Sequence, residues 1–223
     1  MDDGPAAWDY LRSTYDTVAA KYEARFVDEL RDKPRDRELL EAFAQSVGDP
    51  VAEVGCGPGQ IGAFLREQGR RVIGLDLSPE MTRLARARLD ATLVADMRAL
   101  PLATNSVGGL LSFYAVIHLQ RAELGIALAE FQRVLRPSGR VLLSAHEGTD
   151  VVERDVFVGE PVPFAATLFQ LDELVQASRD AGLEVTQAER RAPYATEGET
   201  VRLHVEAQKP DATTPGVGTR LRS

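Results

Sequence analysis

Short apolar runs alternate with longer amphipathic stretches along most of the chain. Each run is four or five residues long and rich in Val, Ile and Leu, which is typical of a buried strand. The runs that we interpret as strands are 51–54, 72–75, 92–95, 109–113 and 141–144. Strands that alternate with helices in this order predict a parallel, doubly wound sheet with right-handed crossovers.

The stretches between these runs carry helix signals. A helix is predicted over 60–68, and a second begins at Ser78-Pro79, because serine caps helices and proline suits the first turn. Apolar residues at helical spacing predict a third helix over 121–135. The turn-forming residues 136–139 should end that helix before the fifth strand begins.

The C-terminal part departs from this alternation. A helix over 171–181 is followed by two strand-like runs, 183–189 and 200–207, with no helix between them. Strands joined by a loop alone imply an antiparallel pair at the sheet edge. The last run alternates apolar and polar residues, so we expect the polar ones, including His204, on the surface. The whole pattern predicts an α/β fold with a seven-stranded, mostly parallel sheet and an antiparallel C-terminal strand pair.

The first strand ends in a glycine-rich turn, with Gly55, Gly57 and Gly59 at alternate positions. Because glycine lacks a Cβ, the backbone there can adopt unusual φ angles and a ligand can approach it closely. Ligands of open α/β sheets bind beyond the carboxyl ends of the strands, which is where this turn lies. The turn therefore predicts a site for a nucleotide-like small molecule.

Carboxylates stand at neighbouring strand ends. Glu53 lies two residues before the first glycine, Asp76 ends the second strand, and Asp96 follows the third. A carboxylate after the second strand suits a ribose, because it can accept hydrogen bonds from two hydroxyl groups. One such aspartate also fits an ordinary turn, but three carboxylates in register with a glycine turn favour a binding site.

A dinucleotide site is the alternative, since Gly57, Gly59 and Gly62 also fit the dinucleotide fingerprint. Glu53 argues against it, because an acidic approach to the turn is unfavourable beside a pyrophosphate. We also expect no second domain to hold a substrate, and the sheet region contains no lysine for a Tyr-x-x-x-Lys pair. Hydride transfer is therefore disfavoured.

Composition narrows the classes further. The 223-residue chain has a net charge of −8, and an acidic surface repels phosphate backbones, so we predict no nucleic-acid partner. It has no run of 18 apolar residues, and its N-terminus lacks the regions of a signal peptide, so we expect no membrane association and a cytoplasmic location. Cys56 is the only cysteine, which excludes an internal disulfide or cysteine-based metal site, and we assign no metal ligand.

These features together resemble the class I S-adenosylmethionine-dependent methyltransferases, and the resemblance runs from about residue 10 to residue 208. It rests on Glu53 with the glycine turn, on Asp76, on Asp96-Met97 and on Leu135-Arg136-Pro137-Ser138-Gly139. A weaker similarity, to the cap of the small-molecule subgroup, lies in Tyr15-Asp16-x-x-Ala19-x-x-Tyr22.

The resemblance implies a Rossmann-like fold and a division of the chain. A helical N-terminal cap would occupy 1–45 and the methyltransferase domain 46–208. The tail, 209–223, is rich in Pro, Gly and Thr with few apolar residues, so we predict that it is disordered.

The resemblance also implies the cofactor, S-adenosyl-L-methionine, and a role for each matching residue. The glycine turn, with Cys56 inside it, would pass under the methionine part of the cofactor. Glu53 would help to hold the ammonium end of that methionine. Asp76 would bind the ribose hydroxyls, and Leu77 would pack on the adenine.

The remaining implied contacts come from later strand ends and from the cap. Asp96 would accept a hydrogen bond from the adenine amino group, and the Met97 backbone would complete its recognition. Phe113, at the end of the fourth strand, would line the channel for the sulfonium and its methyl group. Tyr15 and Tyr22 would close the site from above.

Two histidines are candidate catalytic bases. A sulfonium methyl is already activated, so transfer chiefly needs alignment and exclusion of water, and a base only where the accepting atom must lose a proton. His118 and His146 follow the fourth and fifth strands at ligand-facing ends, and imidazole titrates near neutral pH. The alternative for each is a histidine that is merely hydrogen-bonded in a loop.

The expected partner is a small-molecule acceptor, methylated on N, O or C. Loop 147–169 would form its wall, and the composition of that loop suggests an apolar or aromatic substrate. The wall residues are Phe157, Pro161, Pro163, Phe164 and Phe169. A protein or peptide acceptor, or a non-catalytic module of the same fold that binds the cofactor, are the alternatives.

Overall fold

A computed structural model describes residues 7–211. Two helices, α1 (Ala7–Phe26) and α2 (Pro34–Ser46), precede the first strand. The later elements are β1 (Val51–Val54), α3 (Gln60–Glu67), β2 (Val72–Asp76), α4 (Pro79–Ala85), β3 (Ala91–Val94), β4 (Val107–Phe113), α5 (Leu124–Val134), β5 (Leu135–His146), β6 (Val151–Arg154), β7 (Phe164–Thr167), α6 (Leu171–Asp180), β8 (Glu184–Arg191) and β9 (Arg202–Gln208). Within this part of the chain, no helix has the length and apolar character needed to span a bilayer.

Seven strands form one sheet in the order β3-β2-β1-β4-β5-β9-β8. Strands β1 to β5 pair in parallel, whereas β9 is antiparallel to both β5 and β8. The predicted fold class is therefore confirmed. From β1 the chain first proceeds toward β3 and then returns to β4 on the other side, so a crevice opens at the carboxyl ends of β1 and β4.

Local sequence explains the helix starts beside this crevice. Ser78 caps α4, because its Oγ accepts a hydrogen bond from the Met81 amide at 3.1 Å. Pro79 occupies the first helical turn, where a missing N–H costs nothing. The predicted start of this helix is confirmed, and it places Asp76 directly before the cap.

The connection between β4 and β5 differs from the prediction. A 3₁₀ turn, Arg121–Glu123, precedes α5, so the α-helix itself begins at Leu124. Residues 136–139 belong to β5 rather than to a turn that precedes it. The register of β4 with β5 shifts between Val107 and Gly109, and a bulge absorbs the extra residues of β5.

The sequence predicted a loop over 147–169, but the structure contains two strands there. Strands β6 and β7 pair antiparallel over four residues and form a small separate sheet. The prediction missed them because both runs are short and β6 carries two charged residues in four.

The prediction that His204 lies on the surface is wrong. His204 is 1% exposed, and its Nδ1 lies 2.8 Å from the Ser144 hydroxyl on β5. Strand β9 lies between β5 and β8, and the rings of Phe113 and Tyr114 cover its polar face. The alternating residues of β9 therefore lie on two buried faces, and neither face is exposed to solvent.

Burial of His204 should make stability depend on pH. Burial lowers the pKa of His204 to about 4 from an ordinary value near 6.5. Between these values only the unfolded chain binds the proton, so this residue lowers the free energy of unfolding by about 1.4 kcal/mol for each pH unit of acidification. We expect the free energy of unfolding of His204→Asn to depend less on pH, by about 1.4 kcal/mol for each pH unit. Urea titrations at pH 4.5, 5.5 and 6.5 measure this difference. Parallel curves for the two proteins would contradict the assignment.

Candidate active site

Two adjoining cavities lie at the carboxyl ends of the central strands. We call the first the strand-end cleft; the predicted residues that line it are Tyr15, Tyr22, Gly55, Gly57, Asp76, Leu77, Asp96, Met97, Phe113 and His118. We call the second the outer chamber; the predicted residues that line it include Tyr15, Tyr22, Glu53, Gly55, Cys56, Gly57, Phe113 and His146. Residues common to both form the shared wall: Tyr15, Tyr22, Gly55, Gly57, Phe113 and Tyr114.

The glycine turn brings the backbone to both cavities. Gly55 has φ +73°, and a Cβ there would lie 2.2 Å from the Ala115 Cβ, so no larger residue fits. Gly59 lines neither cavity, because it packs against α4, where a Cβ would lie 3.1 Å from the Ala85 Cβ. The Cys56 side chain is buried, and burial raises the pKa of its thiol well above the ordinary range. The turn therefore offers backbone rather than a nucleophile.

Asp76 ties the glycine turn to the start of α4. Its Oδ2 accepts from the Gly57 amide at 2.8 Å, and its Oδ1 accepts from the Ser78 amide at 2.9 Å. Burial raises the pKa of Asp76 to about 6, although these amide bonds oppose the rise. The carboxylate is thus held at the cleft wall in a fixed orientation and is poised to accept further hydrogen bonds.

Two residues that line the outer chamber beside the turn, Glu53 and Gln60, each carry a buried acceptor oxygen. Glu53 is 2% exposed, and its Oε2 has no hydrogen-bond partner among residues 7–211. The Gln60 amide nitrogen donates to Glu29 Oε1 at 2.8 Å, which leaves Gln60 Oε1 also without a partner there. Burial raises the pKa of Glu53 well above the ordinary range. Buried acceptors without partners suit a ligand that brings N–H groups.

Gln60 and Glu29 were missed by the sequence reasoning. Gln60 directly follows the glycine turn as the first residue of α3, and that position was the available signal. Glu29 carries no local signal, because it follows α1 and reaches the chamber only through the fold.

Asp96 lies at the far side of the cleft, beside Leu77 and Met97. Partial burial raises the pKa of Asp96, but hydrogen bonds from Arg98 outweigh this and lower it overall. The Arg98 guanidinium lies 2.6 Å from Asp96 Oδ2, and the Arg98 amide donates to Oδ1 at 2.8 Å. Asp96 therefore remains a charged acceptor at this wall.

Helix α1 covers the cleft and is attached on two sides. Asp16 accepts from the Ser78 hydroxyl at 2.5 Å, which joins α1 to α4. The Thr14 hydroxyl donates to the Pro163 carbonyl at 3.0 Å, which joins α1 to the segment before β7. Tyr15 and Tyr22 of this helix line both cavities, and their rings meet edge to face at 5.8 Å.

The two candidate histidines occupy different surroundings. His118 lines the cleft, and both its ring nitrogens have partners: Nε2 lies 2.7 Å from the Tyr15 hydroxyl and Nδ1 lies 3.1 Å from the Ala165 carbonyl. His146 lines the outer chamber, and its Nδ1 lies 3.1 Å from the Thr200 hydroxyl. Burial lowers the pKa of each imidazole to about 4, so both are neutral at pH 7.

Aromatic rings form one side of the outer chamber. Phe157 and Phe164 stack at 4.4 Å, and Phe157 also meets the rings of Tyr15 and Tyr22. These two residues fit the predicted acceptor wall. Phe169 does not, because it is fully buried in the core. Neither predicted proline lines this chamber.

An ion cluster forms the other side, and the sequence reasoning did not find it. Lys33 lies 3.3 Å and Arg202 lies 3.6 Å from Glu197, and Arg191 binds the same carboxylate at 2.9 Å. Burial raises the pKa of Glu197, but hydrogen bonds from Arg191 outweigh this and lower it to about 2. Tyr114 connects the cluster to the site, because Arg191 donates to its hydroxyl at 3.5 Å and its ring stacks on His146 at 5.1 Å.

The family model for a methyltransferase domain matches residues 52–143, which run from β1 into β5. Residues 52–143 therefore form a methyltransferase domain of the class I S-adenosylmethionine-dependent type. S-adenosyl-L-methionine is the cofactor of this family, and the cleft fits it: the glycine turn lets a ligand approach the backbone, and unpartnered buried oxygens stand beside it.

Curated methyltransferases are similar to part of this chain. A malonyl-[acyl-carrier protein] O-methyltransferase of Serratia marcescens is 33% identical over 136 residues, which are 60% of this chain and 51% of the relative. The chain spans about half the length of the curated relatives it matches.

Two solved structures share the fold. The 1,6-didemethyltoxoflavin N1-methyltransferase of Burkholderia thailandensis, with S-adenosylhomocysteine bound, has a TM-score of 0.70 and 24% identity over 94% of this chain and 93% of that chain. The magnesium protoporphyrin IX methyltransferase of Synechocystis, with its cofactor bound, has a TM-score of 0.70 and 15% identity over 94% and 100%.

Proposed function

We propose that this chain transfers the methyl group of S-adenosyl-L-methionine to an N, O or C atom of a small apolar or aromatic molecule. One observation carries the proposal: a cleft with the family's carboxylates opens across the shared wall into an aromatic chamber that contains a neutral histidine. The divisions 1–45, 46–208 and 209–223 and the cytoplasmic location remain predictions. Residues 212–223 of the tail that we predict to be disordered lie outside the described residues.

The cofactor roles that we propose follow the polar groups along the cleft and past the glycine turn into the outer chamber. Asp76 accepts from the ribose hydroxyls, with Leu77 and Met97 beside the adenine and Asp96 as acceptor for its amino group. The Glu53 and Gln60 oxygens hold the ammonium group of the methionine part, because they are the buried acceptors without partners beside the turn.

When bound, the cofactor supplies a methyl group that its positive sulfonium has already activated. The residues of the chain then have to align the acceptor and keep water out. Phe113, Tyr15 and Tyr22 line the shared wall, where the two molecules would meet. Helix α1, attached to α4 and to the segment before β7, closes the top of the site.

The chamber favours an uncharged, planar acceptor over a carboxylate. Its inner cations already have partners: Lys33 lies 2.7 Å from Glu29, and Arg202 lies next to Glu197. A carboxylate would have to break these buried pairs, which is costly. The rings of Phe157 and Phe164, in contrast, offer a surface on which an aromatic ring can stack.

His146 is the base that we propose where the accepting atom loses a proton. It lines the chamber, and no hydrogen bond occupies its Nε2 among the described residues. Its low pKa suffices, because a hydroxyl group that gains a methyl becomes strongly acidic. His118 is less suited, since both its nitrogens are hydrogen-bonded.

A methyl-transfer screen tests the proposal. The protein is incubated with methyl-labelled S-adenosylmethionine and a whole-cell extract that contains both metabolites and proteins, and labelled products are identified by mass spectrometry. We expect label in the small-molecule fraction with the wild-type protein but not with Asp76→Ala. Label confined to the protein fraction would support a peptide or protein acceptor instead. Cofactor binding without any label in extracts from varied sources would support a non-catalytic binding module.

A further inference from the structure

The Tyr15 hydroxyl and the His118 ring form a hydrogen bond whose direction the structure fixes. His118 Nδ1 faces the Ala165 carbonyl at 3.1 Å, and a carbonyl only accepts, so Nδ1 carries the hydrogen. A neutral imidazole then has an unprotonated Nε2. The hydrogen bond at 2.7 Å must therefore run from the Tyr15 hydroxyl to Nε2.

His118 is neutral at pH 7 because its ring is buried. Removal from water disfavours the imidazolium and lowers the pKa of His118 to about 4. The imidazole thus remains an acceptor for Tyr15 over the whole neutral range. The aromatic rings around the pair hold both partners in place, with Phe164 against His118 at 5.6 Å and Phe157 against Tyr15 at 5.6 Å.

The direction of this bond determines what Tyr15 offers to a ligand. A tyrosine hydroxyl has one hydrogen, and Tyr15 donates it to His118 in a hydrogen bond. The Tyr15 oxygen therefore presents only lone pairs to its other neighbours. Tyr15 belongs to the shared wall between the cleft and the chamber, and His118 also lines the cleft. An acceptor-only group therefore belongs to the wall between the two cavities, across which a methyl group would pass under the proposed function.

We propose that His118 acts as a positioning residue that makes Tyr15 an acceptor-only group, so that the pair favours the positively charged methyl donor over its neutral demethylated product. The inference rests on the proposed function, because it places S-adenosylmethionine in the strand-end cleft. A lone-pair oxygen attracts a sulfonium and its polarised methyl hydrogens, and this attraction weakens when transfer leaves a neutral thioether. The pair would thus assist both donor binding and product release.

Affinities for S-adenosylmethionine and S-adenosylhomocysteine, measured by calorimetry, test this without knowledge of the acceptor. We expect Tyr15→Phe to weaken binding of the methyl donor by about threefold to tenfold and to change product binding by less than about twofold. His118→Phe should lower the preference for the donor in part, because the Tyr15 hydrogen loses its acceptor. His118→Gln should retain most of it, since an amide oxygen can accept.

A double-mutant cycle separates positioning from packing. If His118 acts through the Tyr15 hydroxyl, His118→Phe should add nothing to the loss of preference once Tyr15→Phe is present. Tyr10→Phe is the matched control, because Tyr10 lies on the same helix, is half exposed and lines neither cavity of the site.

Two results would overturn the inference. One is an equal loss of affinity for donor and product in Tyr15→Phe, and the other is additive loss of preference in the double variant. Failure of the cofactor assignment looks different, because the wild-type protein would then bind neither molecule. Failure of methyl transfer alone is read from the labelling screen, in a protein that still binds both molecules. Circular dichroism of each variant confirms that it has folded.

Discussion

Replacement of Asp76 by alanine should weaken the binding of S-adenosylmethionine by about 100-fold. The carboxylate is the acceptor that we assign to the ribose hydroxyls, and each charge-assisted hydrogen bond contributes about 1.5 kcal/mol or more to affinity. The same side chain holds the Gly57 amide at 2.8 Å, so the variant also loses a contact that orients the glycine turn. Calorimetric titration with the cofactor measures the loss directly.

The Asp76 variant should nevertheless fold. Since burial raises the pKa of Asp76 to about 6, the stability that its protonated form contributes is present at low pH and lost as the pH rises through 6. At pH 7.5 the alanine variant no longer buries a charged carboxylate. This gain in stability offsets the loss of the hydrogen bonds from the Gly57 and Ser78 amides. Thermal denaturation checks the fold, and Asp172→Ala, at an exposed position in the first turn of α6, is the matched control. Unchanged cofactor affinity in a folded Asp76→Ala protein would remove Asp76 from the site.

Replacement of His146 by alanine should lower kcat by about 100-fold, the smaller end of the range for a lost general base. Cofactor affinity should stay within about twofold, because none of the proposed cofactor contacts involves His146. The measurement is turnover of the acceptor found in the labelling screen, if that acceptor loses a proton on methylation. His204→Asn is the control histidine, since His204 lines neither cavity.

The pH dependence of kcat gives an independent reading of the same residue. A base must be unprotonated, and burial lowers the pKa of His146 to about 4. Turnover should therefore stay level from pH 8 to pH 6 and fall only as the pH approaches 4. A wild-type profile that halves near pH 6.5, or full turnover in His146→Ala, would show that another group takes the proton.

Much of the fold was predictable because its signals are local. Strand-length apolar runs and helix caps such as Ser78 depend on neighbours a few residues away. The cleft followed from topology, since parallel strands bring their carboxyl ends to one edge of the sheet. For that reason the sequence alone predicts that Glu53, Asp76 and Asp96 lie near the glycine turn.

What the sequence did not reveal depends on distant parts of the chain. The Asp36–Arg191 ion pair joins residues 155 positions apart, and no local pattern marks either one. The burial of His204 follows from the position of β9 between two other strands. Because an alternating pattern is the same for a half-exposed strand and for one covered on both faces, only the sheet order decides between them.

A structure of the protein with S-adenosylhomocysteine bound tests the central assignment most directly. We predict the ribose hydroxyls within hydrogen-bond distance of the Asp76 carboxylate and the adenine between Leu77 and Met97. The amino group of the homocysteine part should lie next to the unpartnered oxygens of Glu53 and Gln60. A ligand that occupies the cleft without touching Asp76 or Glu53, or one that binds elsewhere at saturation, would contradict the account.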